Sequence, residues 1–124
     1  MSSWMNSIVL NVPRGGELYE PTSLNAVQSF VTSAGINNKL VVIDFTATWC
    51  GPCQQIAPLY KSLSEENTNG VVFLKVDVDT NQEAAMHYEV QAMPTFVLIK
   101  GGQVVDTIQG ADISSLKAAI QKHQ

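Results

Sequence analysis

Residues 40–53 read Leu40-Val41-Val42-Ile43-Asp44-Phe45-Thr46-Ala47-Thr48-Trp49-Cys50-Gly51-Pro52-Cys53. The first six form an apolar run broken only by Asp44. Such runs mark strands buried on both faces, as in a sheet covered by helices on each side. Beyond them, Ile56, Leu59, Tyr60 and Leu63 recur at helical spacing. That pattern predicts an amphipathic helix starting near Cys50 and kinked at Pro58. The decisive unit is therefore a buried strand that turns into a helix at a Cys-x-x-Cys pair.

Working outward, Leu18-Tyr19 starts a first strand that Pro21 stops. Leu24, Val27, Phe30 and Val31 then predict a helix ended by Gly35. Downstream, Val71 to Val78 reads as a second buried strand, and Thr80 to Tyr88 as a short helix with Asp79 as a cap. Thr95 to Ile99, the Gly101-Gly102 turn and Val104 to Ile108 form a hairpin signal. Asp112 caps a last helix that turns Ile113, Leu116 and Ile120 inward. This order predicts an α/β fold of three layers, with a central mixed sheet flanked by helices. Residues 1–16 read as an N-terminal extension closed by Pro13 and Gly15-Gly16, with Ile8 to Val12 a short strand or extended, and residues 17–124 as the domain.

The chain of 124 residues is one domain by size, and 45% hydrophobic against 15% charged residues is a globular composition. Seven basic against eleven acidic side chains, with Arg14 the one arginine, speak against a nucleic-acid surface. No run approaches the roughly 20 apolar residues of a membrane span. Ile8-Val9-Leu10 is too short for a signal-peptide core. A cytoplasmic protein is the expectation, with an organellar address left open by the acid-free first sixteen residues.

Cys50 and Cys53 are the only cysteines, too few for a disulfide framework or a complete zinc site. Helix positions i and i+3 lie about 5–6 Å apart, close to the Cα separation of a disulfide. At the helix N-terminus, free N–H groups and the dipole favour a thiolate on Cys50, worth about 0.3–2 kcal/mol. Cys53, one turn in, stays a thiol through burial. Cys50 is thus the attacking sulfur and Cys53 the resolving one in thiol–disulfide exchange. Gly51 lets another backbone approach, and Pro52 costs little in the first turn. A metal site would need His87 or His123, which lack paired spacing, so no metal is expected; an inert buried pair is the plainer alternative.

At these residues the chain resembles the thioredoxin family. The resemblance rests on Trp49-Cys50-Gly51-Pro52-Cys53, Val42-Ile43-Asp44-Phe45, Pro58, Lys75-Val76-Asp77, Met93-Pro94-Thr95-Phe96 and Gly110, and spans about residues 18–122. It implies the thioredoxin fold and reduction of protein disulfides through a redox-active Cys50–Cys53 bond. It further implies re-reduction by an NADPH-linked thioredoxin reductase, a part in electron transport and cell redox homeostasis, and no bound cofactor. Disulfide-containing proteins are the implied partners, and a monomer is the expected state. Pro94 is implied to be cis and to face the cysteines. Gln54 departs from the lysine common after the second cysteine, and Thr46 from a frequent tryptophan or serine.

Asp44 carries the sharpest question. An acid in an apolar strand costs free energy unless paired or protonated. Burial raises a carboxyl pKa by up to about 3–5 pH units, which suits a base near neutrality. The resemblance makes Asp44 the acceptor of the Cys53 proton, through water; the alternative is a structural acid paired with Lys75. Trp49, Met93, Pro94, Thr95 and Gly110 are the implied substrate-binding residues, with Gly51, Pro52 and Lys75 in support. The competing function is a partner-binding or regulatory module of the same fold with secondary redox activity. An oxidant or isomerase is a third reading, which Gly51-Pro52 disfavours by resemblance.

Overall fold

A computed structural model describes residues 16–67 and 70–124; the expected extension and the Ile8–Val12 segment lie outside them, save Gly16. Among the described residues, five strands and four helices follow in the order β1 (Leu18–Tyr19), α1 (Leu24–Ile36), β2 (Val41–Thr46), α2 (Gly51–Glu66), β3 (Val72–Asp77), α3 (Gln82–His87), β4 (Thr95–Lys100), β5 (Gln103–Gln109) and α4 (Ile113–His123). The sheet order is β1-β3-β2-β4-β5. The first three strands are mutually parallel, and β4 and β5 are antiparallel additions. This is the mixed, helix-flanked sheet that the sequence predicts.

The core divides by strand alternation. Val41, Ile43 and Phe45 face Val27 of α1 and Ala84 of α3. Leu40 and Val42 face Ile56 and Tyr60 of α2 and Leu116 of α4. All six residues of β2 are buried, so the central strand carries both cores. Asp44 is paired in register with Lys75 of β3 and Phe96 of β4. Among the described residues no helix is long and apolar enough to cross a membrane.

Two boundaries differ from the sequence reading. Helix α1 runs through Gly35 to Ile36. Asn38 makes the turn instead, at φ 56°, while the Lys39 N–H donates to the Ala34 carbonyl. That is a left-handed C-terminal closure, one that asparagine tolerates. Helix α3 starts at Gln82, and its cap is Asn81, whose side-chain oxygen accepts from the Ala84 N–H. Asp79 is therefore not the cap. The hairpin turn fits its sequence: Lys100 pairs with Gln103, and Gly101 and Gly102 between them sit at φ 61° and 78°. A two-residue loop that continues the strand twist needs positive φ at both positions, which glycine supplies. Pro58 lies inside α2, which continues to Glu66.

Candidate active site

The site is assembled where β2 ends and α2 begins, beside the loop entering β4. Cys50 is the N-cap of α2, with extended backbone, and its Sγ accepts the Cys53 N–H at 3.3 Å. Pro52 occupies the first turn, where its missing N–H is no loss. Cys50 and Cys53 are joined as a disulfide with their Cα atoms 5.3 Å apart. Their surroundings are apolar: Ala47 joins the two cysteines in one buried cluster, and Val78 and Met93 pack against it. Cys53 is the deeper of the two, at 1% exposure against 7% for Cys50.

The Met93–Pro94 bond is cis. The Met93 carbonyl oxygen lies 3.8 Å from Cys50 Sγ, so the β4 entry loop faces the sulfur pair. Thr95 is buried, and its hydroxyl donates to the Ala92 carbonyl, holding that loop. The Gly110 N–H donates to the Pro94 carbonyl at 2.8 Å, which brings the end of β5 to the same place. Gly110 sits at φ 100°, and a side chain there would be strained. Trp49 is 67% exposed beside the sulfurs, and its indole N–H donates to Asp79 Oδ2 at 2.8 Å. Asp79, read from the sequence as a helix cap, is thus the anchor of Trp49.

Asp44 lies beneath this surface at 2% exposure, on the α2 side of the sheet. Its Oδ1 has no hydrogen-bond partner. Burial pushes its carboxyl up to about 7, against the opposing pull of the Lys75 charge. Lys75 Nζ itself sits 4.0 Å from Glu20 Oε1. The Asp44–Lys75 interaction is a through-space attraction, and desolvation outweighs it. Tyr60, fully buried next to Asp44, donates its hydroxyl to the Leu74 carbonyl at 2.8 Å and the Val42 carbonyl at 3.2 Å. Its pKa is raised well above the usual tyrosine value, chiefly by burial and then by the Asp44 charge.

Tyr60 was read from the sequence only as one apolar position of a helix. The available signal was its spacing: Cys53, Ile56 and Tyr60 share one face, so its hydroxyl had to find a buried partner. Among the described residues, no group of three or more His, Cys, Asp or Glu is placed to hold a metal.

Residues 22–122 match the family model for thioredoxin. The chain is 48% identical over 103 residues to a thioredoxin of Ictalurus punctatus, covering 82% of this chain and 94% of that one. It is 52% identical over 99 residues to a thioredoxin of Equus caballus, covering 80% and 91%. The crystal structure of the reduced Schistosoma mansoni thioredoxin pre-protein superposes with a TM-score of 0.81 at 45% identity, covering 87% of this chain and 99% of that one.

Proposed function

The chain belongs to the thioredoxin family and is a dithiol–disulfide oxidoreductase, and from that premise we propose which residues carry each step. Cys50 is the nucleophile. As a thiolate it attacks one sulfur of a substrate disulfide, forming a Cys50–substrate bond while the other substrate sulfur leaves as a thiolate. The Cys53 N–H, 3.3 Å from Cys50 Sγ, is the amide that stabilises the negative charge. Cys53 then gives its proton through water to Asp44 and attacks Cys50 Sγ. The Cys50–Cys53 bond forms, and the second substrate thiolate is released. Two electrons have passed to the substrate, and the protein holds them no longer.

Asp44 suits the acceptor role because its pKa of about 7 lets it take a proton at neutral pH and return it to solvent. The substrate lies extended along Met93, Pro94 and Thr95, between the Trp49 ring and Gly110; the approach of the Met93 carbonyl to Cys50 and the Gly110 N–H bond to the Pro94 carbonyl support this. Lys75 tunes the Asp44 charge, and Gly51 and Pro52 shape the helix start. Residues 17–124 form the redox domain and 1–16 an extension.

A thioredoxin reductase, drawing on NADPH, restores the dithiol and makes the chain a carrier of electrons. A disulfide that must reopen belongs in a reducing compartment, so we place the protein in the cytoplasm. The observation that carries the reading is the Cys50 sulfur at the helix cap, bonded to a deeper Cys53. Cys53→Ser tests it: this variant accumulates mixed disulfides through Cys50 with disulfide substrates. Full, multiple-turnover reduction of insulin disulfides by Cys53→Ser, coupled to NADPH and thioredoxin reductase, would overturn the assignment.

A further inference from the structure

Two clefts meet under the first turn of α2. One, of about 430 Å³, is lined by Asp44, Tyr60, Lys61, Gln54 and Lys75 among others. The second, of about 290 Å³, opens between Glu20, Thr48, Asp77 and Thr80, and the residues it shares with the first are Gln54 and Lys75. Those two side chains stand where the clefts adjoin and line both. Each is held: Gln54 Nε2 donates to the Ala47 carbonyl at 3.0 Å, and Lys75 Nζ lies 4.0 Å from Glu20 Oε1. Asp44, 2% exposed and with its Oδ1 unpartnered, lines the first cleft and not the second. A buried carboxyl oxygen of that kind draws water wherever a path exists.

We propose that Gln54 is a positioning residue for the proton transfer: its side chain, held by the Ala47 carbonyl, closes a wall between the clefts and limits how much water reaches the Asp44 carboxyl. The proposal rests on the reading of Asp44 as proton acceptor. The charged and titratable groups around Asp44 are Lys75 from β3, Lys61 and the Tyr60 hydroxyl from α2, and Glu20 behind Lys75. Its neighbours from β1 and β4, Leu18 and Phe96, are uncharged. Gln54 closes the wall without adding a charge, where a lysine would add a cation. Desolvation is the main cause holding the Asp44 proton, so the wall acts on the dominant influence.

The test is to titrate the Asp44 carboxyl by carbon NMR in the disulfide form, where neither cysteine titrates. Gln54 is solvent-exposed, so its variants keep the fold. Gln54→Ala opens the wall and lowers the Asp44 midpoint by about one pH unit or more. Gln54→Met, which refills the space, brings the midpoint back. A Gln54→Ala midpoint equal to the parent's overturns the proposal, as does a Gln54→Met midpoint as low as that of Gln54→Ala. The midpoint is read on the carboxyl itself. It therefore tests the wall even if Asp44→Asn leaves the second exchange unslowed, the result that fails the proton-acceptor reading instead.

Discussion

Toward α1 and α3, strand β2 presents Val41, Ile43 and Phe45, all fully buried among apolar side chains. Toward α2 and α4 the same strand presents Val42 and then Asp44, an acid as deeply buried with one oxygen unpartnered. Both faces exclude water, and only one of them gains stability throughout from doing so. On the Phe45 face burial is favourable by about 1.5–3 kcal/mol per large side chain. On the Asp44 face burial opposes the charged form, and that opposition is what raises the carboxyl pKa to about 7.

The contrast is broken most directly at Phe45. Phe45→Ala leaves a cavity beside Tyr88, whose ring centroid is 5.9 Å away. It is expected to cost about 3–5 kcal/mol in urea unfolding, with little dependence on pH. A cost under about 1 kcal/mol would show that this face is not sealed.

Asp44→Ala is expected to act with the opposite sign and with strong pH dependence. Below about pH 4 the carboxyl is protonated in both folded and unfolded chains, so the substitution gives little gain. Between about 4 and 7 the unfolded chain releases the proton while the folded one keeps it, and the parent loses stability as pH rises. Above pH 7 the penalty is complete, and Asp44→Ala is more stable by up to about 4 kcal/mol. Denaturation midpoints at pH 4 and pH 8 check this. If Asp44 accepts the Cys53 proton as proposed, the same variant is expected to slow release from the mixed disulfide by about 10²-fold, the lower range for a lost general base.

Tyr60 sits on the boundary between the two behaviours, an aromatic ring in the core with its hydroxyl on two strand carbonyls. Tyr60→Phe is expected to cost about 1 kcal/mol, the net worth of one buried hydrogen bond. It should also lower the Asp44 midpoint little, since Tyr60 donates to carbonyls and not to the acid. Smallest is Asp79→Ala, which frees the exposed Trp49 indole. Unfolding stability should change by about 0.5 kcal/mol or less, while Trp49 fluorescence anisotropy falls.

The elements were legible to different depths. The buried strands and the amphipathic α2 announce themselves, because their burial follows from local periodicity. The stop of α1 did not, since Asn38 and not Gly35 adopts the left-handed turn. The cap of α3 was misplaced for a related reason: Asp79 and Asn81 are both good caps, and only the approach of Trp49 claims the first. The cysteine pair was readable from spacing. The cis bond at Pro94 and its facing the cysteines came from family resemblance, not from periodicity.

By itself the sequence determined the alternation of strands and helices, the pairing of Cys50 with Cys53 and the presence of an acid in the central strand. These follow from contacts within a few residues along the chain. Only the tertiary structure decided what that acid would be. Its pKa balances burial by α2 against a charge on β3, and Gln54 and Lys75, which line its cleft, come from different elements. Desolvation and Coulomb attraction depend on distance in space, and those distances exist only once the sheet has formed and α2 has closed over it.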